Sequence, residues 1–409
     1  MKILFSILFF VGYFIINGQQ LRNNAIYWSS KDTSSVVINL SSDGYYGSSI
    51  FNNQFTNKFI NGGFIDDDLK NNALTKSKRL NHLGGEFGVS VNYSNTKNYL
   101  FKNWGFYTGL SYNYSLGTQF TKDVYELVFF GNKNLENQEA ILSPSAYYLR
   151  DANRFSFGLN KKNELKVGLT VSSFNNNSGA ELTKGKFYTD TNGVELTLEV
   201  QGSYFGVDTN KTIKNWSNNA IGIGVDFETV FKLREEAGAQ RIHVGVKNVG
   251  ILIHQNAYQI SARRNYTYEG VEVSSLSTIS TGLLTSESIQ DSIGIETVIE
   301  NRTSLLPFEI YFFQVPTFTK RIEMIYGFRY KNESAYKAFL YAGGNVKINN
   351  HWSSSTYLSH GGYADFQWGL SSQVHLDHLS LGVNTNNVLG FISKKAFGKS
   401  VGLSLTYIL

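Results

Sequence analysis

The sequence predicts an all-β protein: a transmembrane antiparallel up-and-down β-barrel of about 14–16 strands, with short periplasmic turns and long extracellular loops. Three observations predict it. The composition favours strands, with 25 Tyr, 30 Phe and 38 Gly against 3 Pro, because aromatic residues suit a pleated wall. Apolar and polar residues alternate with period two through segments of about 8–13 residues, enough to cross a bilayer when tilted. The chain also ends on such a segment, Ser400–Leu409, where Val401, Leu403, Leu405, Tyr407 and Leu409 share one face and Gly402, Ser404 and Thr406 the other. An apolar terminal edge would be adhesive in water; in a closed barrel it becomes the seam.

The N-terminus reads as a secretory signal peptide. Lys2 is followed by the apolar run Ile3–Ile16 and by Asn17-Gly18, so residues 1–18 are expected to be cleaved. Residues 19–33 are polar and are expected to form a short periplasmic segment, with the barrel occupying 34–409. The chain has no Cys, which excludes lipid attachment at a cleavage-site Cys, disulfides and thiolate metal sites. A mean hydropathy of −0.21 and the lack of another long apolar run exclude a helical bundle in lipid. Charged residues make up 17%, the net charge is +5, and no dense Lys/Arg stripe calls for nucleic acid.

The elements follow in order. A first strand is expected near 35–42, then a loop over 43–81 rich in Asn and Gly. Leu83, Gly85, Phe87, Val89, Val91 and Tyr93 share a face, as do Trp104, Phe106, Thr108, Leu110, Tyr112 and Tyr114. A polar connection over 117–152 precedes Phe155, Phe157 and Leu159, and the Lys161-Lys162-Asn163 turn leads to Leu165, Val167, Leu169 and Val171. A long connection is expected over 174–193, then a strand at 194–201. Ile221, Ile223, Val225, Phe227 and Phe231 form the clearest outward set, followed by a loop at 232–240 and by Ile242, Val244 and Val246. A strand at 253–264, a connection over 265–305 and a short helix near 287–299 complete the middle. Strands follow at 306–315, 321–330, 336–348, 351–358, 365–376, 379–387 and 399–409, with two-residue turns at Asn349-Asn350 and Asp377-His378.

A barrel in lipid is inverted, apolar outside and polar inside. The outward sets carry no Lys, Arg or Asp in mid-strand. The polar faces carry Glu86, Glu195, Glu199, Asp226, Glu228, Arg241, His243 and Lys247. These could line a pore or fill the lumen as an ion-pair network, and their mixed sign argues against strong ion selectivity. His351, His360, His375 and His378 stand near Ser353–Ser355 and Asp365. His360 and His378 fall at opposite rims, so no converging Ser–His–acid site is expected, and no metal site or cofactor. The chain is not read as an enzyme.

The last strand resembles the outer-membrane assembly signal, with Ser400, Gly402, Leu405 and Tyr407 in its places, and ends on Ile408-Leu409 beyond the aromatic. The hairpin Gly222–Phe227 with Arg241–Gly250, Leu305–Pro307 and Asn387–Phe391 resembles outer-membrane barrels of Bacteroidetes, similar in style to FadL-type transporters and to PorV. That resemblance implies an outer-membrane location, contact with outer-membrane lipid, insertion by the barrel-assembly machinery, and transport or a channel for small hydrophobic or mixed solutes. The alternative is a non-conducting scaffold or binding barrel of a secretion, gliding or surface-anchoring machine, with a secretion-system partner. No Pro precedes Pro144, so the Asn-Pro-Ala hatch motif of FadL-type transporters is absent, which favours the alternative.

Overall fold

The computed structural model describes residues 36–96, 103–191, 195–206, 220–235, 238–268, 295–319 and 321–409. The segments read as signal peptide (1–18) and periplasmic segment (19–33) lie outside these residues.

The described chain forms a closed antiparallel barrel of 14 strands. Seventeen β-segments build it: β1 Val36–Ser48, β2 Leu80–Asn95, β3 Trp104–Thr121, β4 Glu139–Ile141, β5 Ser145–Lys161, β6 Leu165–Thr189, β7 Leu196–Gly206, β8 Ala220–Glu235, β9 Gly238–Tyr268, β10 Ile295–Leu305, β11 Glu309–Pro316, β12 Ile322–Lys331, β13 Lys337–Lys347, β14 Trp352–Gly362, β15 Ala364–Leu376, β16 Leu379–Thr385 and β17 Gly398–Ile408. Two pairs of segments each act as one interrupted strand. β7 and β8 both lie between β6 and β9, β7 in the half towards the long loops. β10 and β11 likewise share the other edge of β9. β4 is a short lateral strip on β6.

Closure is made by the terminal strand. β17 pairs with β1 from Val37↔Ile408 to Gly47↔Gly398, so both ends of the described chain lie at one rim, here the terminal end. The strand near 35–42 is thus the seam partner even with a count of 14. Outward residues on β17 are apolar and exposed, Leu403, Leu405 and Tyr407 among them, while Ser400, Ser404 and Thr406 are buried inside. The same inversion holds at Ile221, Ile223, Val225, Phe227 and Phe231, all exposed on the outer wall. At the terminal end the described turns are short. Leu376 pairs directly with Leu379, making Asp377-His378 a two-residue turn, and Lys162 and Asn163 take left-handed backbone, φ 48° and 59°, to reverse the chain into β6.

Several connections differ from the sequence reading. The stretch 43–81 is not one loop: β1 continues to Ser48, and helices α1 (Asn53–Asn61) and α2 (Asp67–Lys76) follow. Asn52 and Asp66 cap them, accepting from the Phe55 and Leu69 amides at 2.9 and 3.0 Å. Within 117–152, β3 runs to Thr121 and helix α3 (Lys122–Phe130) packs Tyr125 and Phe129 on Phe51 and Phe55. The stretch 174–193 is strand as far as Thr189. Its alternation is weak because polar residues fill both faces of this stretch, among them Lys184 and Lys186, which pair with Glu199 and Glu139. The loop at 232–240 shrinks, since Glu235 pairs with Gly238. The strand at 253–264 is the middle of β9. Of the helix expected over 287–299, residues 295–299 are strand and the rest lie outside the described residues. The turn at Asn349-Asn350 is wider than two residues, spanning 348–351 between β13 and β14.

Pro307 explains the break between β10 and β11. It has no N–H for the ladder, and Leu306 turns inward beside it, fully buried against Phe174, Ala220 and Leu252. Gly222 on β8 makes room: a Cβ there would sit 2.3 Å from a Leu306 methyl.

Candidate functional site: the barrel interior

Inward-facing side chains must fill a 14-strand lumen or leave it open. Here a layer of tyrosines and ion pairs spans it. Glu86 on β2 and Lys331 on β12 stand seven strands apart either way round the ring, on opposite walls, yet their charged ends meet at 2.5 Å. The turn from Asn332 to Tyr336 folds into the lumen. Ala335 and Tyr336 are buried, and the Ala335 carbonyl lies 3.0 Å from His82 Nδ1 on the far wall.

Glu333 is the hub of this inward turn. Arg150 Nη1 donates to Oε1 at 2.7 Å, Tyr148 donates to Oε2 at 2.6 Å, and the Tyr363 hydroxyl lies 3.3 Å from the same oxygen. That hydroxyl sits against the Tyr148 hydroxyl and 2.9 Å from Glu86 Oε1, with one proton to share among these oxygens. Tyr363 stacks on Tyr45 and meets Tyr336 edge-on, with ring centroids at 5.8 and 5.2 Å. Arg329 donates to the Tyr336 hydroxyl at 2.9 Å. The Glu333 side chain is only 7% exposed, so removing its charge would strand Arg150 without a counter-ion. Burial disfavours ionised Glu333, but Arg150, Lys331 and the two tyrosine hydroxyls outweigh it and hold the carboxyl below its usual range.

Between this layer and the terminal end lies a cavity of about 330 Å³. Its wall includes Ser41, Ser90 and Ser111, the charges of Asp43, Arg154 and Lys247, and the rings of Tyr107 and Phe308.

Of the residues expected on the lumen wall, Glu86, Asp226, Glu228 and Lys247 line this cavity. Lys247 pairs with Glu228 at 2.7 Å, and Tyr311 donates to the same carboxylate at 2.6 Å. Asp226 accepts from Thr170 Oγ1 at 2.5 Å and from the Asn248 amide at 2.8 Å, which holds the left-handed bulge at Asn248. Arg241 bonds Glu323 at 3.2 Å and His243 stacks on Phe313 at 4.2 Å. Glu199 lies elsewhere, pairing with Lys184 on the upper wall, and Glu195 is an exposed residue ahead of β7. The assembly-signal residues alternate as the strand dictates, Ser400 and Gly402 inward and Leu405 and Tyr407 outward. His360 faces outward on β14 and His378 sits in the terminal turn, bonding the Ile408 carbonyl at 3.0 Å, so the two do not converge.

Sequence reasoning missed Glu333, Arg150, Arg154 and Lys331. The signal for Arg154 and Lys331 was alternation itself. Once Phe155 and Phe157 face out, Arg154 faces in; once Met324, Tyr326 and Tyr330 face out, Arg329 and Lys331 face in.

Wall polarity, closure and filled interior define a barrel of the membrane-spanning type with an occluded lumen. By sequence, the chain belongs to the family of unknown function DUF5723, whose model matches residues 23–386. No curated protein matches it in sequence. Among solved structures it is similar to the Pseudomonas putida toluene transporter TodX, at 10% identity over 96% of this chain and 94% of that one, with a TM-score of 0.40. A Pseudomonas aeruginosa FadL homologue matches at 10% identity over 91% and 90% with a TM-score of 0.40. The translocator domain of the autotransporter NalP from Neisseria meningitidis matches at 9% over 94% and 93% with a TM-score of 0.35. These likenesses are of barrel architecture, and the solutes named for those proteins are theirs.

Proposed function

We propose that this protein is an outer-membrane barrel that passes small solutes of mixed polarity through a lumen closed at rest by the Glu333 turn. The observation that carries this reading is the closure itself. A single five-residue turn supplies the Ala335 and Glu333 contacts to the far walls, and a polar cavity lies directly beneath it. A barrel serving only as a wall could be filled from its strands alone; here a turn between two strands folds into the lumen beside the Glu86–Lys331 pair. The outer-membrane location is supported by the inverted wall, since a chain with this exterior would aggregate in water. In this reading the terminal strand, with Ser400, Gly402, Leu405 and Tyr407, is what the assembly machinery recognises.

The occlusion also favours a second reading, a sealed barrel that serves as a scaffold in a secretion or surface-anchoring assembly. Planar-bilayer recording separates the two. Wild-type barrel is expected to show brief openings from a closed baseline, and replacing Asn332–Tyr336 by a short Asn-Gly turn is expected to give steady conductance. Silence from both, with each protein running as a heat-modifiable folded barrel, overturns passage and leaves the scaffold.

A further inference from the structure

The lumen charges divide into two groups. Most are matched within the protein: Glu86 with Lys331, Glu228 with Lys247, Glu333 with Arg150, and Glu323 with Arg241. Two that line the cavity have side chains with no polar partner among the described residues. No carboxylate comes within 4.0 Å of Arg154 on β5 and no side-chain hydrogen bond reaches it. Its Nε is shut off from solvent with no partner. The nearby acids are engaged otherwise. Asp226 is taken by Thr170 and the Asn248 amide, and Glu333 by Arg150, two inward-facing positions nearer the loop end. Asp43 on β1 lines the same cavity, and among the described residues its side chain too makes no hydrogen bond or ion pair.

Burying a charge without a counter-charge is costly. A wall that engages most of its acids and bases, and leaves one guanidinium and one carboxylate facing a shared cavity, is built for a guest that supplies the missing partners. Asp43 is in register with Gly88 on β2, Gly88 with Asn113 on β3, and Asn113 with Ala152, two residues from Arg154 on β5. Three strand spacings make roughly 14 Å of curved wall between the two backbones, most of which the long Arg154 side chain and a short solute can span. The volume, about 330 Å³, is at the small end for ligand pockets.

We propose that this cavity binds a small amphoteric solute, its carboxylate held by Arg154 and its ammonium by Asp43. A guanidinium can take both oxygens of a carboxylate at once, and the guest adds no net charge to a wall already nearly balanced. This inference rests on the passage reading above, whose solute class it narrows.

The test is titration calorimetry on the full-length barrel in detergent micelles, with 5-aminopentanoate, pentanoate and pentylamine as probes. The first is expected to bind at least tenfold more tightly than either half-probe. Arg154→Gln should weaken 5-aminopentanoate and pentanoate at least tenfold and spare pentylamine, and Asp43→Asn should do the converse. Arg154→Lys and Asp43→Glu keep the charges and should keep the preference, which covers the case where a neutral variant fails to fold. Equal binding of the three probes, no binding of any, or neutral variants that titrate like wild type would overturn the site. Conductance is read separately. Binding without passage in the turn-replaced barrel leaves the site and overturns the channel; passage without binding does the reverse.

Discussion

Glu333→Gln is the sharpest perturbation of the closed lumen. The substitution keeps the shape of the side chain and a hydrogen-bonding end for Tyr148 and Tyr363 but removes the charge that Arg150 faces at 2.7 Å. Truncating one partner of a buried pair costs about 3–5 kcal/mol, because the other charge is left uncompensated. The amide retains neutral hydrogen bonds, about half as strong as charged ones, so the closed state is expected to lose about 2–3 kcal/mol. At about 1.4 kcal/mol per tenfold, the open-to-closed ratio should rise roughly 30- to 150-fold. Single-channel recording in planar bilayers reads this as open probability. Arg150→Met should act in the same direction, and the double variant should fall well short of the summed single effects, since both remove one interaction. A folded Glu333→Gln barrel whose open probability stays within about twofold of wild type would refute the assignment of this turn as the gate.

Three further outcomes follow from the geometry. A Cβ on Gly369 would sit 2.1 Å from the Tyr357 ring, which lies flat on that strand; Gly369→Val should therefore cost about 1–3 kcal/mol, seen as a lower temperature for the gel-mobility shift. Leu403→Arg places a charge in the middle of the outer face of the closing strand and should destabilise insertion into lipid vesicles by about 2–4 kcal/mol, whereas Leu403→Phe should insert normally. The Asp66 carboxyl, held below the usual range by its hydrogen bond from Lys58 and by the Leu69 amide, caps α2. Because its folded pKa is depressed, its contribution is present at neutral pH and is lost as pH falls through that lowered value. Amide exchange in 67–76 should stay slow down to the usual aspartate range and quicken only below it, and in Asp66→Ala it should be fast throughout.

Alternation carried most of the barrel. Wherever one face meets an apolar surround and the other a polar interior, as at Ile221–Phe231 or Val401–Tyr407, period two is written into the chain and the register follows. It fails where that contrast fades. The upper half of β6, Asn175–Thr189, is largely polar on both faces and reads as loop. The helices after β1 are short and Asn-rich, and their visible mark was capping chemistry: Asn52 before Phe55, and Asp66 before Asp67 and Asp68. The interior was legible in part for a different reason. Glu86, Glu228 and Lys247 stand in regular strands, so their direction can be read. Glu333 stands in a turn, and no local pattern states that a turn bends inward. That depends on Arg150 and Tyr148, some 180 residues away.

The length of β9 has a consequence outside the lumen. It holds 31 residues, while a tilted strand needs about 9–11 to cross the hydrocarbon core. The part of β9 beyond its pairing with β8, residues 255–268, makes roughly 45 Å of strand, flanked by β7 on one edge and β10 on the other. The interruptions at Gly206 and Pro307 divide each neighbour of β9 into a wall segment and an upper segment. The upper segments form a mast, joined to the wall by the continuous strands β6 and β9. On the proposed outer-membrane reading, an antibody, protease or phage tail arriving from the loop side would meet this mast before it met lipid, and changes there should alter the display without altering conductance.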